Sequence, residues 1–130
     1  MNSGELLERL WKFAARVGKV VDVLPDTRLG RHVAGQLVRC GTAAGPNYDE
    51  GCAAESRADF AHKLSIALKE LKETRGWLRF IVIAELLPSK RISGGPDECE
   101  QLIKIAGKSI ATAKGKPRRG SNENSPMNNE

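Results

Sequence analysis

Apolar residues along this chain recur at steps of three and four, the spacing that lines up one side of a helix. In the first stretch Leu7, Leu10, Ala14, Val17, Val21 and Leu24 form such a seam, which predicts a helix from about Gly4 to Leu24. Pro25 stops it, because a proline pushes the preceding residue out of the helical region. Asp26 or Thr27 can cap a second helix, and Leu29, Val33, Leu37, Cys40 and Ala44 carry its seam onward. Gly45-Pro46 would ordinarily end a helix, yet the spacing continues to Asn47, so one kinked helix from about Thr27 to Cys52 is expected. The small residues from Gly41 to Gly45 would let a neighbouring helix approach closely.

Ser56 followed by Asp59 resembles a capping box and opens the longest pattern, Phe60, Leu64, Ala67, Leu68, Leu71, Leu78 and Ile81, a third helix reaching about Leu87. Trp77, Phe80 and Ile83 fall off that seam. A helix apolar on two sides needs two sets of neighbours, so these residues are a candidate oligomer interface, with another copy of the chain as the second neighbour. After Pro88 and the loop Ile92–Pro96, Leu102, Ile103, Ala106, Ile110 and Ala113 mark a fourth helix, ended by Gly115 and Pro117. Four helices with short connections predict an all-α, antiparallel up-down-up-down four-helix bundle over residues 1–115. Residues 116–130 carry little to bury and read as a disordered basic and polar tail.

Composition agrees: aromatic residues make up only 5% of 130, and no apolar run approaches membrane-spanning length. The N-terminus lacks the basic start and apolar run of a signal peptide, so a cytoplasmic bacterial protein with no membrane partner is the default. Cys40, Cys52 and Cys99 have no metal-ligand spacing and read as reduced, largely buried thiols. The formal charge is +5, and the body is only mildly basic, a balance that permits nucleic-acid binding without demanding it. Candidate contacts are Arg9, Lys12, Arg16 and Lys19 on the first helix, Arg28 and Arg31 on the second, and Lys114, Lys116, Arg118 and Arg119 at the C-terminal end. Tyr48 and Trp11 are the candidate stacking aromatics.

Catalytic chemistry finds little support. A di-metal carboxylate site in a bundle needs two carboxylate-x-x-His pairs; Asp59 with His62 is one, but His32 has Leu29 three residues before it. No nucleophile elbow or phosphate-cradling loop appears. The expectation is a protein without enzymatic activity, metal or other cofactor. The most distinctive stretch is the corner near residue 47. There Asn47 and, one turn on, Glu50 extend an apolar face, and desolvated polar groups need partners. The corner is either a satisfied structural lock or a functional site. As a lock, Asn47→Ala would cost roughly 1–3 kcal/mol.

Gln36-Leu37-Val38-Arg39, then Asn47-x-x-Glu50-Gly51, Ser56-x-x-x-Phe60, and Leu64 with Ala67 to Glu70 together resemble the bacterial four-helix-bundle proteins encoded in intervening sequences of 23S ribosomal RNA genes. The likeness covers about residues 5–114, and by position Gln36, Arg39, Asn47, Glu50, Gly51, Ser56 and Phe60 correspond to the family pattern. That family is similar to the accessory variability determinant of diversity-generating retroelements, a basic pentamer that associates with a reverse transcriptase and nucleic acid. The resemblance implies a ring-shaped homopentamer and a role alongside RNA or DNA. Two readings follow: an oligomeric module that binds nucleic acid through basic surfaces, or a purely structural or protein-interaction module such as an accessory subunit of a nucleic-acid enzyme.

Overall fold

A computed structural model describes residues 1–115; the expected tail, 116–130, lies outside the described residues. All regular structure among them is helical: α1 (Ser3–Val23), α2 (Arg28–Gly41), α3 (Ala44–Cys52), α4 (Arg57–Ile83), a 3-10 turn (Ser89–Ile92) and α5 (Gly95–Ala113). Each start has a local cause. Asn2 Oδ1 accepts from the Glu5 amide at 2.8 Å while Glu5 Oε1 accepts from the Asn2 amide at 2.8 Å, a reciprocal capping box. Thr27 Oγ1 accepts from the Gly30 amide and Ser56 Oγ from the Asp59 amide, both at 3.0 Å. Pro96 sits in the first turn of α5 beside Asp97 and Glu98, where its missing N–H is no loss and the acids face the positive end of the helix.

The single helix expected over Thr27–Cys52 is two helices, parted at Thr42 and Ala43. Pro46 explains the position of the break. It has no N–H to offer the carbonyl four residues back, that of Thr42, and its ring crowds that carbonyl. One rung is lost and the next is restored, with the Asn47 amide donating to the Ala43 carbonyl at 3.2 Å. Within α3 the proline occupies the first turn, where amides lack intrahelical acceptors in any case.

The third predicted helix also ends earlier than expected, at Ile83 rather than Leu87. The Leu86 amide donates to the Ile81 carbonyl and the Glu85 amide to that of Val82, with Glu85 at φ 59°. This is a Schellman stop in which glutamate takes the left-handed position that glycine ordinarily fills.

The four arms, counting α2 and α3 as one, enclose a continuous core. α4 lies against α2, α3 and α5, and α1 packs on α2, α3 and α5. Phe13, Val33, Leu37, Leu64, Leu71, Leu78, Ile81 and Leu102 are among its fully buried members. The α1 face is rotated from expectation: Leu6, Phe13 and Val20 are buried, while Leu7, Val21 and Leu24 pack at its margin. Leu29, expected in the α2 seam, is exposed, and Gly30 is buried in its place.

The small-residue run acts as anticipated. A Cβ on Gly41 would stand 2.6 Å from Val17 Cγ1, and one on Gly45 would stand 3.3 Å from the Trp11 ring, so close approach of α1 depends on both glycines. Cys40 and Cys99 are buried, but Cys52 is exposed, contrary to expectation. Burial pushes the Cys99 thiol up to about 12, with the neighbouring Glu100 charge adding to the shift.

Candidate nucleic-acid interface

At the corner that dominates the sequence pattern, the polar side chains meet near neighbours. Asn47 is half-buried, and its Nδ2 donates to the Ala43 carbonyl at 2.9 Å, the same oxygen its own amide uses. It thereby braces the first turn of α3 across the break. Glu50 is not wedged inside the apex; it is exposed and accepts from Lys63 Nζ at 2.7 Å, which raises the lysine's pKa. The physical reason lies in the break. Restarting the helix at Ala44 brings Ala44, Tyr48 and Gly51 onto the buried side and turns Asn47 and Glu50 toward the rim.

Gly51 is required there, since a Cβ would come 3.1 Å from Lys63 Cβ and 3.4 Å from the ring of the half-buried Phe60, which in turn meets Tyr48 edge-on. Because Asn47 braces one carbonyl rather than a buried network, Asn47→Ala should cost about 1 kcal/mol, below much of the range expected from sequence. Urea denaturation of the two proteins measures it.

Gln36 and Arg39 belong to a different cluster, one turn apart on α2. Arg39 donates to Glu70 Oε1 at 3.2 Å, to Gln36 Oε1 at 3.3 Å and to Glu73, which also accepts from Trp77 Nε1 at 3.1 Å. The guanidinium first, and then the indole N–H, hold the Glu73 carboxyl below the usual carboxylate range. Its contribution to stability is therefore present above that range and is lost as pH falls through the lowered value. Trp77 meets His32 and Phe80 edge-on, with ring centroids 6.0 and 5.7 Å apart. Trp77 and Phe80 pack against the core, so of the predicted second face Ile83 stands clear, 77% exposed, beside the exposed Val82.

The basic candidates divide sharply by their partners. Arg9 is clamped by Glu98, with Nη2 to Oε1 at 2.7 Å and Nε to Oε2 at 3.0 Å, and this bond raises its pKa. Lys12 pairs with Glu8 at 3.5 Å and Arg31 with Asp26 at 2.8 Å. Among the described residues, no carboxylate lies within ion-pair distance of Arg16, Lys19, Arg28 or Lys114. Lys116, Arg118 and Arg119 lie outside the described residues.

Arg16 and Lys19 end the α1 row and line one cavity of about 280 Å³ together with Arg91 from the 3-10 turn. Sequence reasoning missed Arg91; the adjacent pair Lys90-Arg91 ahead of a glycine turn was the available signal. Of the candidate stacking aromatics, Tyr48 is buried, and Trp11 is 46% exposed with its ring over Gly45.

Among the described residues no group of three or more His, Cys, Asp and Glu side chains could hold a metal ion, and no helix is long and apolar enough to cross a membrane. The fold thus defines a helical bundle protein, with Arg16, Lys19 and Arg91 unpaired around one cavity among the described residues. The chain belongs to the 23S rRNA-intervening sequence protein family, whose sequence profile matches residues 5–108. It is similar to the crystal structure of a protein of unknown function from the S23 ribosomal protein family of Bacteroides thetaiotaomicron. That likeness has a TM-score of 0.75 at 30% identity and covers 81% of this chain and 97% of that one. No curated protein matches the chain.

Proposed function

We propose that this protein is a non-enzymatic, oligomeric four-helix-bundle module of the cytoplasm that binds nucleic acid through its basic surface. The observation that carries the reading is the gathering of Arg16, Lys19 and Arg91 on one cavity with no carboxylate partner among the described residues. Several other cations are matched by acids, Arg9 by Glu98, Arg39 by Glu70 and Glu73, and Arg75 by Glu100. Unpaired cations clustered on one surface are what phosphate neutralisation uses. The family's association with a ribosomal RNA gene element accords with this reading.

A second reading, a structural or protein-interaction module, draws on Val82 and Ile83, which line an apolar groove at the end of α4. We take this face as the contact between copies, in a bundle whose short connections run successive arms antiparallel, and a ring of five as the assembly that the family resemblance implies. A partner enzyme acting on nucleic acid would dock on such a ring.

Titrating single-stranded RNA against the full chain at graded salt tests the first reading. The logarithm of the binding constant should fall against the logarithm of salt with a slope of about −2 or steeper, because each contacted phosphate releases counterions. Binding that ignores salt, or no binding at all, would refute it. For the second, Ile83→Asp should lower the solution mass toward that of a monomer; an unchanged mass removes that face from the assembly.

A further inference from the structure

We infer that the cavity at the C-terminal end of α1 receives a strand end, the phosphomonoester terminus of a nucleic acid, rather than a backbone phosphodiester passing over the surface. The inference rests on the nucleic-acid reading above and names the group recognised. Charge distribution is the first argument. The α1 row Arg9, Lys12, Arg16, Lys19 would suit a running backbone if all four cations were available, but Glu98 neutralises Arg9 and Glu8 offsets Lys12. The two that remain, Arg16 and Lys19, line one cavity together with Arg91. A backbone phosphodiester brings one negative charge, whereas a phosphomonoester carries about −1.5 to −2 near pH 7 and offers three acceptor oxygens. Three unpaired cations around one cavity match the second far better than the first.

The surroundings of the cations agree. The lining of the cavity includes the apolar Phe13, Leu78 and Ile92 beside the cations, so a terminal nucleotide would meet apolar side chains while its phosphate meets the charges. Arg16 reaches across to the loop: Gly94 has φ 87°, and a Cβ there would lie 2.9 Å from Arg16 Nη2. Any other residue at 94 would be strained at this φ, and its Cβ would crowd the tip of Arg16. Gly94 therefore opens the space in which Arg16 lies, on the same loop that delivers Arg91.

Fluorescence titration of the full chain with short RNAs of one sequence, ending in a 5′-phosphate, a 3′-phosphate or hydroxyls alone, tests the inference. At least one phosphorylated form should bind about tenfold more tightly than the hydroxyl form, the equivalent of one charge-assisted contact. The double variant Lys19→Gln/Arg91→Gln should erase that preference while keeping the fold, since both side chains are exposed. Equal binding of all three RNAs, or a preference that survives in the double variant, overturns the inference and leaves the nucleic-acid reading standing. A free nucleoside monophosphate competing as well as the phosphorylated strand overturns the strand-end assignment. Failure of every RNA to bind overturns both.

Discussion

Phe13→Ala is expected to destabilise the bundle by about 3–5 kcal/mol, the largest single loss among side-chain truncations considered for this protein. Phe13 is 1% exposed, projects from the middle of α1 into the core, and lines the cavity together with Arg16, Lys19 and Arg91. Its removal takes away the transfer free energy of the ring and leaves a void that helices anchored at both ends collapse around only partly. Domains of this size are stable by roughly 5–15 kcal/mol in total, so the loss should be visible as a large drop in the urea midpoint with little change in slope. Ile83→Ala is the matched control. That side chain is 77% exposed, and its truncation should stay within about 0.5 kcal/mol in the monomeric state. A small effect at Phe13 would mean that α1 is not seated on the core as described.

Gly30→Ala is expected to cost about 3 kcal/mol, against the ordinary trend for a helical glycine. In an unobstructed helix interior the same change stabilises by about 1 kcal/mol, because glycine has more freedom to lose on folding. At this position a Cβ would lie 2.0 Å from the Pro25 carbonyl oxygen and 3.1 Å from Thr27 Oγ1. Both neighbours are fixed. Pro25 makes the reversal between α1 and α2, and Thr27 is the cap whose hydroxyl accepts the Gly30 amide. Accommodating a methyl group would push the connection away and loosen the cap together. Gly35→Ala, on the same helix and with nothing within 4 Å of the added Cβ, should raise stability by about 1 kcal/mol. Opposite signs at Gly30 and Gly35 in thermal or urea melts would establish the close turn; a stabilising Gly30→Ala would contradict it.

Helical arms, their caps and most core residues were legible because they depend on short-range patterns. Thr27 and Ser56 are polar residues placed just ahead of apolar seams, and Leu37, Leu64, Leu71 and Leu78 fall at seam positions whatever the neighbours are. Details that depend on phase were not. Asn47 and Glu50 extend the α2 seam only if the helix is continuous, and the rung lost at Pro46 shifts the buried side to Tyr48 and Gly51. Trp77 and Phe80, which lie off the α4 seam in sequence, are half-buried: His32 and Glu73 meet Trp77, and both rings pack against the core. Glu85 in a left-handed stop could not be foreseen either, since glycine, not glutamate, signals that turn.

By itself the sequence determined that this chain is a helical bundle and which family it belongs to, because apolar period, capping residues and a spaced motif are properties of neighbours along the chain. The tertiary structure alone decided which charges are free. Arg9 and Arg16 are equivalent in any reading of α1, yet Glu98, 89 residues away, occupies the first, while the turn at Gly94 brings Arg91 beside the second. A charge is available to a ligand only when nothing opposite in sign lies within a few ångströms, and that condition is set by elements remote in sequence.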